Sequence, residues 1–208
     1  SLQTGAALAT VSPTILTPFP NPSTSLSRQL LQVARLIKAS IDPTAGINMK
    51  RQIFFCSLGG FDSHSSQRSA GSQDGLLTQV SQAMNAFYNA TVELGVANNV
   101  TTFTLSDFGR TFQPAGSGAG VGSDHGWGSH HLVMGGAVRG GDFYGRYPTL
   151  ALGGPDDTDT RGRWIPSTAV EQYAATLSTW YGLSGSDLPA VFPLLNRFSP
   201  NNLGFMLG

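Results

Sequence analysis

Three of the chain's four histidines, His125, His130 and His131, fall within seven residues, in the run G-S-D-H-G-W-G-S-H-H-L-V-M-G-G at 122–136. Asp124 stands beside them, and the surrounding glycines let a backbone turn tightly and come close to a ligand. Imidazole and carboxylate together suit zinc, manganese or iron, and a segment of small residues can aim several such groups at one point. No fixed-spacing motif such as H-E-x-x-H or a paired C-x-x-C is present, so a surface loop with incidental histidines is the competing reading of this run. The fourth histidine shifts the balance. In Gly59-Gly60-Phe61-Asp62-Ser63-His64 a carboxylate and an imidazole stand two residues apart, behind a glycine pair that follows an apolar run. The bland alternative is that Asp62 caps the next segment and His64 is simply exposed. Asp107, in S-D-F-G-R, ends a second apolar run. Arg110 then offers a forked guanidinium either to an anionic substrate or to Asp107 as a structural partner.

These groups need elements to position them. Leu26, Leu30, Val33, Ala34 and Ile37 recur at helical spacing, which predicts an amphipathic helix from Ser25 or Ser27 to about Ser40. The stretch 42–46 breaks it, and 51–58 reads as a strand buried on both faces, as in a parallel sheet covered by helices. A second helix is expected over 75–98, with Leu76, Val80, Ala83, Met84, Phe87 and Thr91 on one face. The next strand is 100–105. Residues 113–122 read as a flexible loop, 131–136 as a short buried strand and 142–148 as a hairpin or edge. Asp156, Asp157 and Asp159 form an acidic loop without the glycine and terminal glutamate of a calcium loop, which favours a solvated turn. Thr168-x-x-Glu171 reads as a capping box opening a helix through Trp180, with Val170, Tyr173, Ala174, Leu177 and Tyr181 inward. Residues 1–24, with four prolines, read as an extended arm, and the tail with Pro189, Pro193 and Pro200 as a wrap around the body.

This alternation predicts a single α/β domain over 1–208, a mainly parallel sheet sandwiched by helices. Asp62, His64, Asp107, Asp124 and His125 would then follow strands and converge on one sheet edge, where such folds collect ligands.

Composition bounds the partners. The net charge is zero, only 12% of residues are charged, and no Lys/Arg run occurs. Nothing therefore draws the chain to nucleic acid or to an anionic membrane. No run of about 18 apolar residues exists to span a bilayer. The 26 glycines and many small polar residues suit a periplasmic or extracellular protein. Cys56 cannot form an internal disulfide alone and reads as a buried, inert thiol. The opening S-L-Q-T-G-A-A-L-A-T, without methionine or signal features, reads as a processed or truncated product.

Four ordered blocks carry a resemblance. They are F-F-C-S-L-G-G-F-D-S-H-S-S-Q, T-L-S-D-F-G-R-T, G-S-D-H-G-W-G-S-H-H-L-V-M-G-G-A-V-R-G-G and G-R-W-I-P-S-T-A-V-E-Q-Y-A-A-T-L-S-T-W-Y-G. Together they resemble the bacterial domain-of-unknown-function family 1501 over roughly residues 25–200, a family similar in turn to the alkaline phosphatase and sulfatase superfamily. The resemblance implies an alkaline phosphatase-like fold and an exported hydrolase of phosphate or sulfate esters, using divalent metal ions such as zinc, manganese or calcium. Asp62 and His64 resemble ligands of one site and Asp107 the strand-end Asp of the other. His125 resembles the late histidine returning to the first site, with Asp124 and His130 as ligands or their hydrogen-bond partners. Phe108 stands where relatives usually carry His or Asn. The superfamily's nucleophile belongs to an amino-terminal segment expected before residue 1, so no catalytic nucleophile is assigned and that segment counts as an expected partner, beside a small anionic ester held by Arg110. The alternative is a non-catalytic envelope or extracellular protein, structural or binding, that keeps the fold. Trp127, Trp164 and Tyr147 suggest a carbohydrate- or anion-binding module as a third reading.

Overall fold

A computed structural model describes residues 14–19, 24–45 and 47–207, so most of the expected 1–24 arm lies outside the described residues. The chain forms two compact units. One comprises the residues up to Ser63 together with Gln67–Val100, and the other comprises His64–Ser66 and Thr101–Gly208.

Two helices make the first unit. Helix α1 (Ser25–Ile41) begins where the Thr24 hydroxyl accepts the Ser27 N–H at 3.3 Å, and it ends at Asp42, whose extended backbone suits the residue before a proline. Its expected apolar stripe is buried in full: Leu26, Leu30, Val33, Ala34 and Ile37. Helix α2 (Gln73–Glu93) packs against it through Ala83, Ala86, Phe87 and Ala90, with Phe19 completing the core. Small residues at this contact let the helices approach closely, and each large apolar side chain buried there contributes about 1.5–3 kcal/mol relative to exposure. The helix stops five residues before the expected end, because Gly95 at φ 70° turns the chain into a single 3-10 turn at Ala97–Asn99. Cys56 is half-buried against this core, and burial pushes its thiol pKa up, as an inert cysteine requires.

The second unit carries the strands. β1 (Thr101–Phe103) pairs antiparallel with β4 (Val133–Gly135), Thr102 opposite Met134. β2 (Gly109–Pro114) pairs antiparallel with β3 (Ser123–Gly126), Arg110 opposite His125, with a register irregularity before Pro114. The glycine-rich stretch 115–122 joins them, closed by an Ala115 N–H donated to the Gly122 carbonyl at 2.9 Å. Helix α3 (Val170–Tyr181) follows, then the short α4 (Leu188–Val191). The tail packs back on this unit: Phe205 is buried, and Leu207 donates to the Ala137 carbonyl at 2.8 Å. No helix among the described residues is long and apolar enough to cross a membrane.

The expected mainly parallel, alkaline phosphatase-like sandwich is overturned. The described strands form two antiparallel two-stranded sheets, β1–β4 and β2–β3. Residues 51–58 join none of the described sheets, and Ile53 and Phe55 are 80% and 91% exposed rather than buried on both faces. Alternate side chains, Cys56 and Leu58, lie on the helical core instead. The backbone of Ser57 is satisfied by a side chain: its N–H donates to Gln29 Oε1 and its carbonyl accepts from Gln29 Nε2, both at 2.9 Å. Residues 142–148 form bends, not a hairpin. The expected capping box at Thr168 does not form either: the N-cap is Ala169, which has no side-chain acceptor, and only Gln172 Oε1 reaches back to accept the Ala169 N–H at 2.9 Å. Val170 is 62% exposed, and the inward face of α3 instead includes the polar Gln172 and Thr176.

Candidate metal centre

His125 lies on β3 and His64 on the short 64–66 segment that belongs to the same unit. That segment is fixed to the β2–β3 connection by an antiparallel bridge between Ser65 and Val121 and by the Ser66 N–H, donated to the Gly120 carbonyl at 2.9 Å. The two imidazoles consequently stack, with ring centres 5.2 Å apart and planes inclined by 24°. A ring nitrogen of each lies within 4.8 Å of one on the other, and both side chains are exposed.

Asp124 contacts one member of this pair, His64. Its Oδ1 is 3.3 Å from His64 Nδ1, and its Oδ2 is 2.7 Å from Arg161 Nη1. A carboxylate only accepts, so a neutral His64 in this contact carries its proton on Nδ1 and presents the Nε2 lone pair to a ligand. Metal-binding histidines are commonly oriented in this way. The Asp124 N–H is in turn donated to Thr111 Oγ1 at 3.0 Å, and the His125 carbonyl accepts from Arg163 Nε at 3.0 Å. Arg163 also pairs with Asp159.

Phe108, the residue before β2, and Arg110, on β2, complete the surroundings. The Phe108 ring stacks on His125 at 4.0 Å and 13°, and Arg110 Cζ lies 5.5 Å from the Phe108 ring centre. Arg110 also donates from Nε to Ser123 Oγ at 3.2 Å and from Nη2 to the Ser123 carbonyl. The hairpin can be this tight only because of its glycines. A Cβ on Gly109 would sit 2.2 Å from the Gly128 carbonyl oxygen, and one on Gly126 would sit 3.1 Å from that of Arg110.

Asp62 is exposed, two residues before His64 in sequence, at the end of the first unit. Asp107 is exposed on the bend before β2, and among the described residues neither it nor His130 belongs to a group able to share one ion. His130 lies against Tyr147 with ring centres 5.3 Å apart, and His131 stacks on Tyr173 at 5.9 Å. Burial first, and the neighbouring His130 second, push the His131 pKa down. The acidic loop is built into the fold. Asp156 takes a forked pair of bonds from Arg146 at 2.7 and 3.0 Å, which holds its carboxyl well below the usual range. Asp157 accepts backbone N–H bonds from Gly153, Asp159, Gly162 and Arg163. Its oxygens are therefore occupied by the turn.

Sequence reasoning missed Arg161, Arg163 and Thr111 and treated Phe108 as a missing ligand. Only the charge alternation in D-D-T-D-T-R-G-R offered a hint of the arginine pairs.

One family model, described as "Protein of unknown function (DUF1501)", matches residues 46–160, more than half of the 208-residue chain. No curated protein and no solved structure matches it.

Proposed function

We propose, for a chain that belongs to the DUF1501 family, a divalent-metal site held by His64 and His125 and serving the hydrolysis of small phosphate or sulfate esters outside the cytoplasm. The observation that carries the reading is the pair of imidazole nitrogens within 4.8 Å of each other. Two nitrogens each about 2.0–2.1 Å from a tetrahedral ion are about 3.4 Å apart, so small rotations of two exposed rings suffice to close the site. A donor pair of imidazoles fits zinc or manganese better than calcium, which favours oxygen alone.

A divalent ion there supplies Lewis-acid polarisation of the ester oxygen. The chain's own residues do the rest. Asp124 keeps the His64 proton on Nδ1, Arg161 holds the Asp124 carboxylate in place, and the guanidiniums of Arg110 and Arg161 offer positive charge to an anionic ester. Likeness to the alkaline phosphatase and sulfatase superfamily belongs to this proposal, as does the assignment of Asp107 to a second ion.

Metal analysis of the purified protein, followed by a panel of aryl and alkyl phosphate and sulfate esters, tests the reading. One or more equivalents of zinc or manganese, with turnover abolished by chelator and by His125→Ala, is the expected result. Absence of metal from the native protein, and no uptake on titration, sinks it. A non-catalytic, structural reading is favoured by the exposed apolar face of Ile53 and Phe55, and tightly held metal without turnover of any ester would select it.

A further inference from the structure

Phe108 follows Asp107 directly and carries no ligand atom, yet its ring packs face to face on His125. It stacks on His125 at 4.0 Å and 13°, nearer and more parallel than His64 does at 5.2 Å and 24°. His125 is exposed, so without a neighbour its ring would sample several rotamers and lose that freedom on binding an ion. The Phe108 ring removes alternatives beforehand. Phe108 is itself anchored. Arg110 lies over it at 5.5 Å and is bonded to both the hydroxyl and the carbonyl of Ser123, two residues before His125. Arg110 and His125 are also direct partners across the β2–β3 ladder.

We infer that Phe108 is a positioning residue that holds the His125 ring in the orientation needed for metal ligation, an inference that rests on the metal reading above. The ring acts through packing, as the surroundings of a preorganised site must.

Cobalt(II) titration of the intact chain, followed by its visible absorption bands, tests this with three variants. Phe108→Leu and Phe108→Met remove the aromatic face at similar volume, and Phe108→Tyr keeps it; far-UV circular dichroism checks folding. Wild type and Phe108→Tyr are expected to bind cobalt with the same affinity and spectrum. Phe108→Leu and Phe108→Met are expected to bind about tenfold more weakly, the size of effect seen when a ligand loses its supporting partner. They should also show shifted bands, because His125 meets the ion at a different angle. Wild-type affinity and spectrum in either folded non-aromatic variant overturn the role of Phe108 while leaving the metal reading intact. Failure of the wild type to take up cobalt overturns both.

Discussion

His64 Nδ1 lies 3.3 Å from Asp124 Oδ1, and this one contact divides the two roles that a carboxylate can play at a metal centre. A ligating carboxylate points an oxygen at the ion, whereas an orienting one accepts the proton of the ligand behind it. With its other oxygen on Arg161 at 2.7 Å, Asp124 has both oxygens engaged by side chains of its own unit.

Asp124→Asn therefore separates the roles. The amide oxygen still accepts from His64 Nδ1–H, so zinc affinity should fall by less than tenfold, while Asp124→Ala should cost about 10–100-fold. Competition against a zinc-binding dye, after stripping with chelator, measures both. A loss in Asp124→Asn as deep as that in His125→Ala would make Asp124 a ligand instead.

Asp157 should make the fold acid-sensitive. Loss of water raises its pKa, but the N–H donors of Gly153, Gly162, Asp159 and Arg163 outweigh that and bring it to about 2, below the usual 3.8. Because the folded value is depressed, the stabilisation is complete above the unfolded pKa and is lost as pH falls from about 4 through about 2. Thermal melts between pH 5 and pH 2 should show a steeper fall in Tm for the wild type than for Asp157→Asn, which cannot titrate. Parallel slopes would show that the carboxylate is not held by the turn.

The sequence disclosed the helices of the first unit because a 3.6-residue period is a local property, and the stripe from Leu26 to Ile37 is buried as read. It misjudged the sheet because strand pairing is a long-range property. The apolar run 51–58 has the composition of a strand, but its Ser57 backbone pairs with the Gln29 side chain, and no local pattern announces that. Of the candidate site, His64, Asp124 and His125 were legible from residue type and spacing. Phe108, Arg161 and Thr111 were not, since each acts through a contact set by the β2–β3 hairpin or the turn beyond it.

That hairpin depends on absent side chains. A Cβ at Gly109 would meet the Gly128 carbonyl oxygen at 2.2 Å, a backbone atom that cannot swing aside, whereas one at Gly59 would meet nothing within 4 Å. Gly109→Ala should destabilise the chain by about 1–3 kcal/mol, as overpacking does, and weaken metal binding by displacing Phe108 and Arg110. Gly59→Ala should leave both within error. Paired urea titrations and zinc competition decide it, and equal behaviour of the two variants would refute the close approach.

A buried hydroxyl helps attach the tail to α3, beside the Gln172 side chain, whose Nε2 donates to the Pro200 carbonyl at 2.6 Å. Thr176 is 1% exposed; its Oγ1 donates to the Gln172 carbonyl at 2.8 Å and accepts the Leu203 N–H at 2.9 Å. Thr176→Val keeps the shape but leaves that N–H without its acceptor, a loss of about 1–3 kcal/mol. Thr176→Ser restores the acceptor and gives up only a methyl group, so it should be the milder change. Denaturant midpoints of the three proteins test the order wild type, then Ser, then Val, and hydrogen exchange at Leu203 localises the effect. A Val variant as stable as the wild type, with Leu203 still protected, would mean that the Gln172 bond to Pro200 and the packing of Phe205 hold the tail without the Thr176 hydroxyl.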